Sequence, residues 1–329
     1  MVQNPIVPAI PFDEDGVHHG YLRLPYSRDD SAWGSVMIPL TVIRNGDGPT
    51  ALLTGGNHGD EYEGPIALLD LAQSLSKEDV RGRIIIVPAF NYPAFRAGTR
   101  TSPIDSGNLN RSFPGRPDGT VTEKIAHFFD SVMIPMADIV LDFHSGGKTL
   151  DFVPFASAHV RDDKDKQAAC VAAARAFNAP YSAIMLEIDS AGMYDTAVEE
   201  QGKVFVTTEL GGGGTATAHS VAIAKKGVRN LLKHAGILPG DVQLEESISL
   251  DMPDGDCFVF SESEGMVEPL VDLGDGVSKG DAVARVWATG RTGLAPTDYR
   301  AGRSGILMAR HFPGLVKSGD CLAVVAAVL

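Results

Sequence analysis

The chain has 329 residues, of which 44% are hydrophobic and 21% charged, and it carries a formal net charge of −14. This length suits one large domain with a smaller one, and the composition is ordinary for a soluble globular protein. The acidic balance argues against nucleic acid or an anionic membrane as a partner, because either would require a basic face.

Cysteine usage and the N-terminus indicate the compartment. The three cysteines lie far apart and form no CxxC pair, which is typical of reduced thiols and not of a disulfide framework. The first residues, MVQNPIVPAIPFDEDG, lack the basic start and apolar run of a signal peptide. No apolar stretch reaches the roughly 18 residues that a membrane span needs. We therefore expect a soluble, cytoplasmic protein.

The first two thirds of the chain alternate between strand-like and helical patterns. Residues 1–48 predict a β segment that packs on the domain that follows it and ends at the turn NGDG. Residues 49–245 then contain, in chain order, ALLTGG, GPIALLDLAQSLS, RIIIVPAF, TEKIAHFFDSVMIPMA, DIVLDFH, KDKQAACVAAARAFNA, KVFVTTEL and HSVAIAKKGVRNLLKHAGI. This alternation predicts an α/β domain with a mixed, mainly parallel sheet, whose ligands lie beyond the carboxyl ends of the strands.

The remaining segment, 246–329, predicts a smaller C-terminal all-β domain. Two stretches in it, 264–286 and 304–325, share a pattern of glycine, apolar strand, Val-x-x-Gly-Asp turn and closing apolar strand. They resemble the two half-repeats of a biotinyl/lipoyl-type β-barrel. Carrier domains of that type place a modified lysine between the halves, but segment 287–303 contains no lysine. A structural appendage or a lid over the pocket is therefore favoured.

A set of metal-ligand residues follows two of the predicted strands. His58 and Glu61 lie three positions apart after ALLTGG, and His144 ends the run ADIVLDFH. Because the carboxyl ends of parallel strands meet at one edge of a sheet, we expect these side chains to lie close together. Two imidazoles and one carboxylate leave an open position on zinc, as in catalytic sites. The sequence therefore predicts metal-assisted hydrolysis.

Such a hydrolase also needs a base, a cation for the developing oxyanion and groups that hold the substrate. Glu209 lies at a third strand end and precedes four glycines, which would let the backbone approach a substrate closely. The segment AGTRTSPIDSGNLNRSFPG supplies Arg100, Asn110 and Arg111.

Each of these residues also has an ordinary structural interpretation. An isolated HxxE is common by chance, Glu209 would serve as a helix cap, and Asn110 with Arg111 would brace a loop. The coincidence of the groups at three strand ends favours the metal site. Asp142 is either a second contact that orients His144 or an ordinary strand-end acid. The remaining histidines match no ligand pattern and are interpreted as structural or solvated: His18, His19, His127, His159, His219, His234 and His311.

The motifs NHGDE, NLNRSFPG, DFHSGG and TELGGGG, in this order, resemble the succinylglutamate desuccinylase/aspartoacylase family, a branch of the zinc carboxypeptidase-like fold. The resemblance runs from about residue 48 to 235, and the β-rich tail is also found in that family. It implies one Zn²⁺ per chain, held by His58, Glu61 and His144. It also implies a zinc-dependent amidohydrolase that removes an acyl group from an N-acyl amino acid.

The same resemblance implies a role for each remaining site residue. Glu209 corresponds to the general acid/base, and Asn110 with Arg111 to the pair that binds the α-carboxylate of the substrate. Arg100 resembles the arginine that polarises the carbonyl, although its spacing to NLNR is looser than in aspartoacylase.

The substrate is indicated by two further segments. RLPYSRDDSAWGSVMIP and MYDTAVEEQGK are most similar to family members that deacetylate Nα-acetyl-L-2,4-diaminobutyrate in ectoine breakdown. Segment 187–208 also contains no arginine, and beside Lys203 it carries five acids: Glu187, Asp189, Asp195, Glu199 and Glu200. An acidic wall suits a substrate with a free side-chain ammonium, and Asp195 or Glu199 is expected to contact it.

Other functions stay open at this point. The chain would instead deacylate another N-acyl amino acid, of the N-succinylglutamate or N-acetylaspartate type, or act as a metallocarboxypeptidase. A non-catalytic binding module is disfavoured because the ligands, Glu209 and Arg111 are all intact. The expected partner is a small-molecule substrate, with no nucleic acid and no membrane, and a homo-oligomer is compatible with the sequence.

Overall fold

The computed structural model describes residues 3–186 and 189–329. Its strands are β1 Val7–Pro8, β2 Gly16–Pro25, β3 Ser35–Asn45, β4 Thr50–Gly55, β5 Gly82–Val87, β6 Ile139–His144, β7 Leu150–Phe152, β8 Phe155–His159, β9 Tyr181–Met185, β10 Val204–Glu209, β11 Ile248–Asp251, β12 Phe258–Phe260, β13 Gly265–Pro269, β14 Gly276–Val277, β15 Ala282–Trp287, β16 Thr297–Arg300, β17 Gly305–His311, β18 Leu315–Val316 and β19 Cys321–Val328. Its helices are α1 Glu63–Ser74, α2 Tyr92–Ala97, α3 Val121–Phe128, α4 Ile134–Met136, α5 Lys164–Phe177, α6 Tyr194–Glu200 and α7 Ala218–His234.

The main sheet is mixed and mainly parallel in its centre, as predicted. Its strand order is β1-β2-β3-β5-β4-β6-β10-β8-β9-β11-β19-β17-β14. Strand β4 pairs in parallel with β5 and β6, and β6 pairs in parallel with β10. Strand β8 runs antiparallel to β10 and therefore reverses the direction of the sheet at that point. The N-terminal β segment joins the same sheet, because β3 pairs with β5.

Helices cover both faces of this sheet. One face packs on α1, α5 and α7 through a buried cluster that includes Leu68, Phe177 and Leu231. The other face packs on α3 and α6 through a second cluster around Phe129 and Tyr194. Every residue of β4 is buried, which explains why its sequence is a nearly continuous apolar run. Each large aliphatic side chain buried in this way stabilises the fold by roughly 1.5–3 kcal/mol.

The elements that the sequence did not predict lie between β6 and β10 and before α3. Between β6 and β10 these elements are β7, β8, β9 and α6, and before α3 the unpredicted element is the short helix α2. Helix α6 has only seven residues, and β7 has three, so neither carries enough periods to reveal itself in the sequence.

The C-terminal region pairs its two half-repeats reciprocally. Gly265 of the first half is the register partner of Val316 in the second, and Gly305 of the second half is the partner of Val277 in the first. A side chain at Gly265 would overlap the carbonyl oxygen of Trp287, and one at Gly305 that of Ala326, each just beyond the end of its own half, so both positions require glycine. Strand β17 also pairs with β7, which ties this region to the catalytic part of the chain.

Among the described residues we find no helix whose length and hydropathy suffice to cross a bilayer.

Candidate active site

Three neighbouring strands bring the predicted catalytic residues to one edge of the sheet. His144 is the last residue of β6, Glu209 is the last residue of β10, and the two are register partners in the parallel ladder. His58 and Glu61 lie in the turn that leads from β4 to α1. The edge formed by the carboxyl ends of these strands is where ligands of open α/β sheets lie.

His58, Glu61 and His144 converge as the sequence predicted. One ligand atom from each lies within 4.8 Å of the other two. The Nδ1 atom of His58 is 2.7 Å from Glu61 Oε1, and the Nδ1 atom of His144 is 2.9 Å from Glu61 Oε2. Glu61 and His58 are almost fully buried. Two imidazole nitrogens and one carboxylate facing each other in a buried pocket fit a divalent metal ion, and zinc accepts such donors.

The protonation of this group also suits a metal site. Burial lowers the pKa of His58 below its ordinary value. Burial alone would raise the pKa of the Glu61 carboxyl, but His58 and His144 hold it well below its usual range. Burial would lower the pKa of His144, but Asp142 and Glu61 raise it well above its ordinary value. Metal binding would therefore displace a proton from His144, and Glu61 is already ionised.

Asp142 supports His144 from behind. Its Oδ2 lies 2.9 Å from His144 Nε2 and also accepts a hydrogen bond from Asn57 Nδ2 at 2.9 Å. Its Oδ1 accepts one from the hydroxyl of Thr54 at 2.7 Å. Asp142, Asn57 and Thr54 are all essentially inaccessible to solvent. A carboxylate on the far nitrogen fixes the orientation of a ligating imidazole. This geometry favours the orienting role over the ordinary strand-end acid.

Glu209 faces the same pocket from β10. Burial raises the pKa of its carboxyl to about 8, and repulsion from Glu61 adds to this shift. Its Oε2 is buried and has no hydrogen-bond partner among the described residues. A carboxyl with a raised pKa and a free oxygen beside a metal-ligand group is suited to taking up and returning a proton.

Arg100, Asn110 and Arg111 also line this cavity, which has a volume of about 170 Å³. The Nη1 atom of Arg100 lies 3.4 Å from His58 Nδ1 and 4.0 Å from Glu61 Oε1, and its side chain is 42% exposed. Asn110 is buried and accepts a hydrogen bond from the Tyr194 backbone at 2.9 Å. Arg111 is exposed and donates to the carbonyl of Asn110 at 2.7 Å. Both arginines therefore present their cations at the mouth.

The cavity continues along the face of the sheet, away from the metal-ligand group. Phe205, Thr207 and Glu209 alternate along β10 and all line it. Side chains two positions apart lie on the same face of a strand, so these three mark one continuous wall. At the far end lie His159 and Asp195, both nearly fully buried.

The far end holds a cluster of ionisable side chains, which we call the acid cluster: His159, Asp195 and Glu199. His159 lies 3.3 Å from Glu199 Oε1 through Nδ1 and 3.8 Å from Asp195 Oδ2 through Nε2. Asp195 lines the cavity, whereas Glu199 lies behind His159 and does not. Arg161 holds Glu199 from outside, donating to its carbonyl and lying 4.0 Å from its carboxylate.

Asp189 and Glu200, which also belong to the predicted acidic wall, do not line the catalytic cavity. Asp189 and Glu200 are exposed, and Lys203 donates to the carbonyl of Pro135 at the surface. Glu187 lies outside the described residues. Of the acids that the structure describes in this segment, Asp195 alone lines the catalytic cavity.

The four glycines after Glu209 have a different role from the expected one. Gly212 forms a bridge with Asp151, and a side chain on it would overlap the carbonyl of Leu150. Gly211 accepts hydrogen bonds from the backbones of Gly146 and Phe152. The run therefore packs against segment 146–152 and not against the cavity, so backbone approach to a neighbouring chain segment explains the glycines.

Sequence analysis missed two contributors to the site. Asn57 precedes His58 within the predicted motif, so its position offered a signal for its contact with Asp142. His159 was interpreted as structural, yet it lines the cavity. It ends β8, a strand that was not predicted and that runs antiparallel to β10. The strand-end rule that located His144 therefore offered no signal for His159.

The region that forms this site is similar to known proteins. The model of the succinylglutamate desuccinylase/aspartoacylase catalytic domain matches residues 47–235. An N-alpha-acetyl-L-2,4-diaminobutyric acid deacetylase of Halomonas elongata is 57% identical over 328 residues, covering 99% of this chain and 96% of its own length.

Two solved structures extend the similarity over the whole fold. The product-bound ectoine utilization protein EutE (DoeB) of Ruegeria pomeroyi has a TM-score of 0.98 and 71% identity, with 99% of each chain covered. A succinylglutamate desuccinylase of Silicibacter sp. TM1040 has a TM-score of 0.97 and 69% identity, with 100% of each chain covered. The chain thus belongs to the succinylglutamate desuccinylase/aspartoacylase family and is a hydrolase that acts on a linear amide.

Proposed function

We propose that this amide hydrolase is a zinc-dependent deacetylase that converts Nα-acetyl-L-2,4-diaminobutyrate and water to L-2,4-diaminobutyrate and acetate. One observation carries the proposal: a single cavity joins the metal-ligand group at its mouth to the buried Asp195 at its far end. The first end suits hydrolysis of an amide, and the second suits a side-chain ammonium. The activity named for the Halomonas relative supports the same substrate, and the Ruegeria relative is named as an ectoine utilization protein.

The metal-ligand residues of the proposal are His58, Glu61 and His144, which fit zinc by donor type and burial. When bound, zinc supplies Lewis acidity to the amide carbonyl and to water. Asp142 holds the His144 ring in the orientation that turns Nδ1 towards the other ligands. These protein groups are in place before substrate arrives, so little reorganisation accompanies the reaction.

Glu209 moves the proton in this proposal. Its carboxylate accepts a proton from the attacking water, and its carboxylic acid then returns that proton to the leaving amine. Arg100 donates a hydrogen bond to the carbonyl oxygen as negative charge develops on it. The bond between the acyl carbon and the nitrogen breaks, and the products are acetate and the free amine.

The substrate is held at its two charged ends. Asn110 and Arg111 bind the α-carboxylate at the mouth of the cavity, where a guanidinium matches the planar geometry of a carboxylate. Asp195 faces the side-chain ammonium. Glu199 acts on the substrate only indirectly, because its carboxylate contacts His159 and Arg161 and does not line the cavity. A substrate with a second carboxylate would meet Asp195 and be repelled.

The test is acetate or succinate release by the zinc-loaded protein from Nα-acetyl-diaminobutyrate, N-acetylaspartate and N-succinylglutamate. We expect a strong preference for the first. Asp195→Asn should raise KM for the cationic substrate about 10-fold or more, because a charged hydrogen bond contributes roughly 1.5–3 kcal/mol. Glu199→Gln should raise it less, and Glu200→Gln, an exposed acid in the same helix, is the matched control.

Two results would contradict parts of this proposal separately. A preference for a dicarboxylate substrate would keep amide hydrolysis and reject the assignment of the substrate. An unchanged KM for the cationic substrate in both Asp195→Asn and Glu199→Gln would reject the ammonium contact.

A further inference from the structure

A second cavity of about 370 Å³ lies beside the catalytic one, and residues of β7, β8 and β9 line it together with residues of β12, β17 and β19. Its described lining is mainly apolar. Among the lining residues, Phe155, Met252, Met308 and Val324 are buried and belong to one hydrophobic cluster. A cavity with such walls takes an apolar ligand, because water gains few hydrogen bonds inside it.

The two cavities share a wall. Arg111, Leu150, Phe152 and Met185 line both of them. Leu150 and Phe152 belong to β7, the strand that pairs with β17 of the C-terminal region. A ligand group that passes between these side chains would therefore extend from the catalytic cavity into the apolar one.

The polar groups of the proposed substrate have partners elsewhere in the catalytic cavity. The carbonyl faces the metal-ligand group, the carboxylate meets Arg111, and the ammonium meets Asp195. The acyl methyl is the one apolar end of that substrate. Leu150, Phe152 and Met185 offer it an apolar wall, and the same three side chains also line the second cavity.

We propose that the second cavity is an acyl-chain site, and that the protein also hydrolyses N-acyl amino acids with longer unbranched aliphatic acyl groups. The inference rests on the proposed function for the position of the amide. The reaction balances as for acetate: water adds across the amide, the carbon–nitrogen bond breaks, and a fatty carboxylate and a free amine leave. No further reactant takes part.

Cys321 offers a place to test the cavity without touching the catalytic groups. It lies at the start of β19 and lines the second cavity but not the first. Burial raises the pKa of its thiol to about 11, so the side chain is neutral and compatible with an apolar wall. A larger apolar residue at this position would reduce the space for an acyl chain.

The experiment compares Nα-acetyl-, Nα-butyryl- and Nα-hexanoyl-L-2,4-diaminobutyrate as substrates of the zinc-loaded protein, with release of the free amine as the readout. Burial of each added CH₂ should raise kcat/KM about two- to fourfold until the cavity is filled. Cys321→Phe should lower kcat/KM for the hexanoyl substrate about 10-fold and leave the acetyl substrate within about twofold.

The matched control is Val328→Phe, which adds a phenyl ring to the exposed end of the same strand. It should leave the chain-length dependence of the wild type unchanged. A hexanoyl substrate turned over 100-fold more slowly than the acetyl one by the wild type would overturn the proposal. So would an equal loss for all three substrates in Cys321→Phe, since that indicates a general disturbance.

Binding separates this proposal from the proposed function. The same three compounds are titrated calorimetrically into the Glu209→Ala variant, where turnover does not interfere. If no compound is hydrolysed by the wild type, the proposed function fails, and the cavity is then judged by affinity alone. Affinity that rises with chain length, and that Cys321→Phe removes, supports the acyl-chain site. Affinity that is flat or falls with chain length refutes it.

Discussion

The two ends of the catalytic cavity are built differently. At the mouth, His144 and Glu209 end adjacent parallel strands, so their separation is set by the hydrogen-bond register of the sheet. At the far end, Asp195 comes from α6, a short helix that covers the sheet, and His159 comes from an antiparallel strand. The groups proposed to break the bond lie at adjacent strand ends and in the turn that follows β4. The groups proposed to select the amine lie partly on the helix that covers the sheet.

The charge balance of the two ends also differs. The carboxylate of Glu61 faces two imidazoles at 2.7 and 2.9 Å, so its charge is met before substrate arrives. In the acid cluster, Asp195 and Glu199 are both within 4 Å of the single imidazole of His159. Arg161 lies 4.0 Å from the Glu199 carboxylate. Among these described contacts, two carboxylates share one imidazole at the far end, whereas one carboxylate faces two imidazoles at the mouth.

The largest effect is expected at the mouth. Glu209→Ala removes the proposed proton-transfer group, and we expect kcat to fall about 10²–10⁴-fold. Zinc content, measured by plasma mass spectrometry, should stay near that of the wild type, because Glu209 is not one of the three predicted ligands. Near-normal turnover in this variant would show that another group acts as the base. Loss of zinc would show that Glu209 is a ligand.

The next effect concerns the support behind the mouth. Asp142→Asn keeps the shape of the side chain but removes the negative charge beside His144 Nε2. Loss of such a partner typically weakens metal affinity about 10–100-fold. We expect that change in competition titrations with a chelator, with KM of the zinc-loaded variant close to the wild type. An unchanged zinc affinity would mean that Asp142 is an ordinary buried acid.

The meeting of the catalytic residues at the mouth of the cavity was predictable from the sequence for a physical reason. Buried parallel strands have continuous apolar runs, and their carboxyl ends share one edge of the sheet. The runs before His58, His144 and Glu209 therefore predicted a meeting point without any knowledge of strand order. No such rule predicts which residues meet at the far end of the cavity. Its geometry depends on the antiparallel pairing of β8 with β10, which no local pattern encodes.

The C-terminal region was predictable from the sequence in part. Its half-repeats were visible as repeated glycine and Gly-Asp turns, and these positions recur in the structure as reciprocal register partners and equivalent turns. Asp281 and Asp320 accept equivalent backbone hydrogen bonds from Ser278 and Lys317. The pairing of β17 with β7 was not visible, because β7 has only three residues.

The smallest expected effect is on the thermal stability of the metal-free protein, and it arises from Glu209 at the mouth of the cavity. The pKa of Glu209 is raised to about 8 in the folded protein, whereas an unfolded glutamate has a pKa near 4.3. The folded protein thus keeps a proton that the unfolded chain releases above about pH 4.3. This contribution to stability is full below that pH and is lost as the pH rises towards 8.

Glu209→Gln removes this dependence, since a neutral amide stays neutral at every pH. The metal-free variant should therefore melt close to the metal-free wild type near pH 5 and roughly 3–6 °C above it at pH 8. Differential scanning calorimetry across this range measures the difference, with the exposed Glu200→Gln as the control. A difference that stays constant with pH would mean that Glu209 is already ionised in the metal-free pocket, because only a retained proton couples its removal to pH.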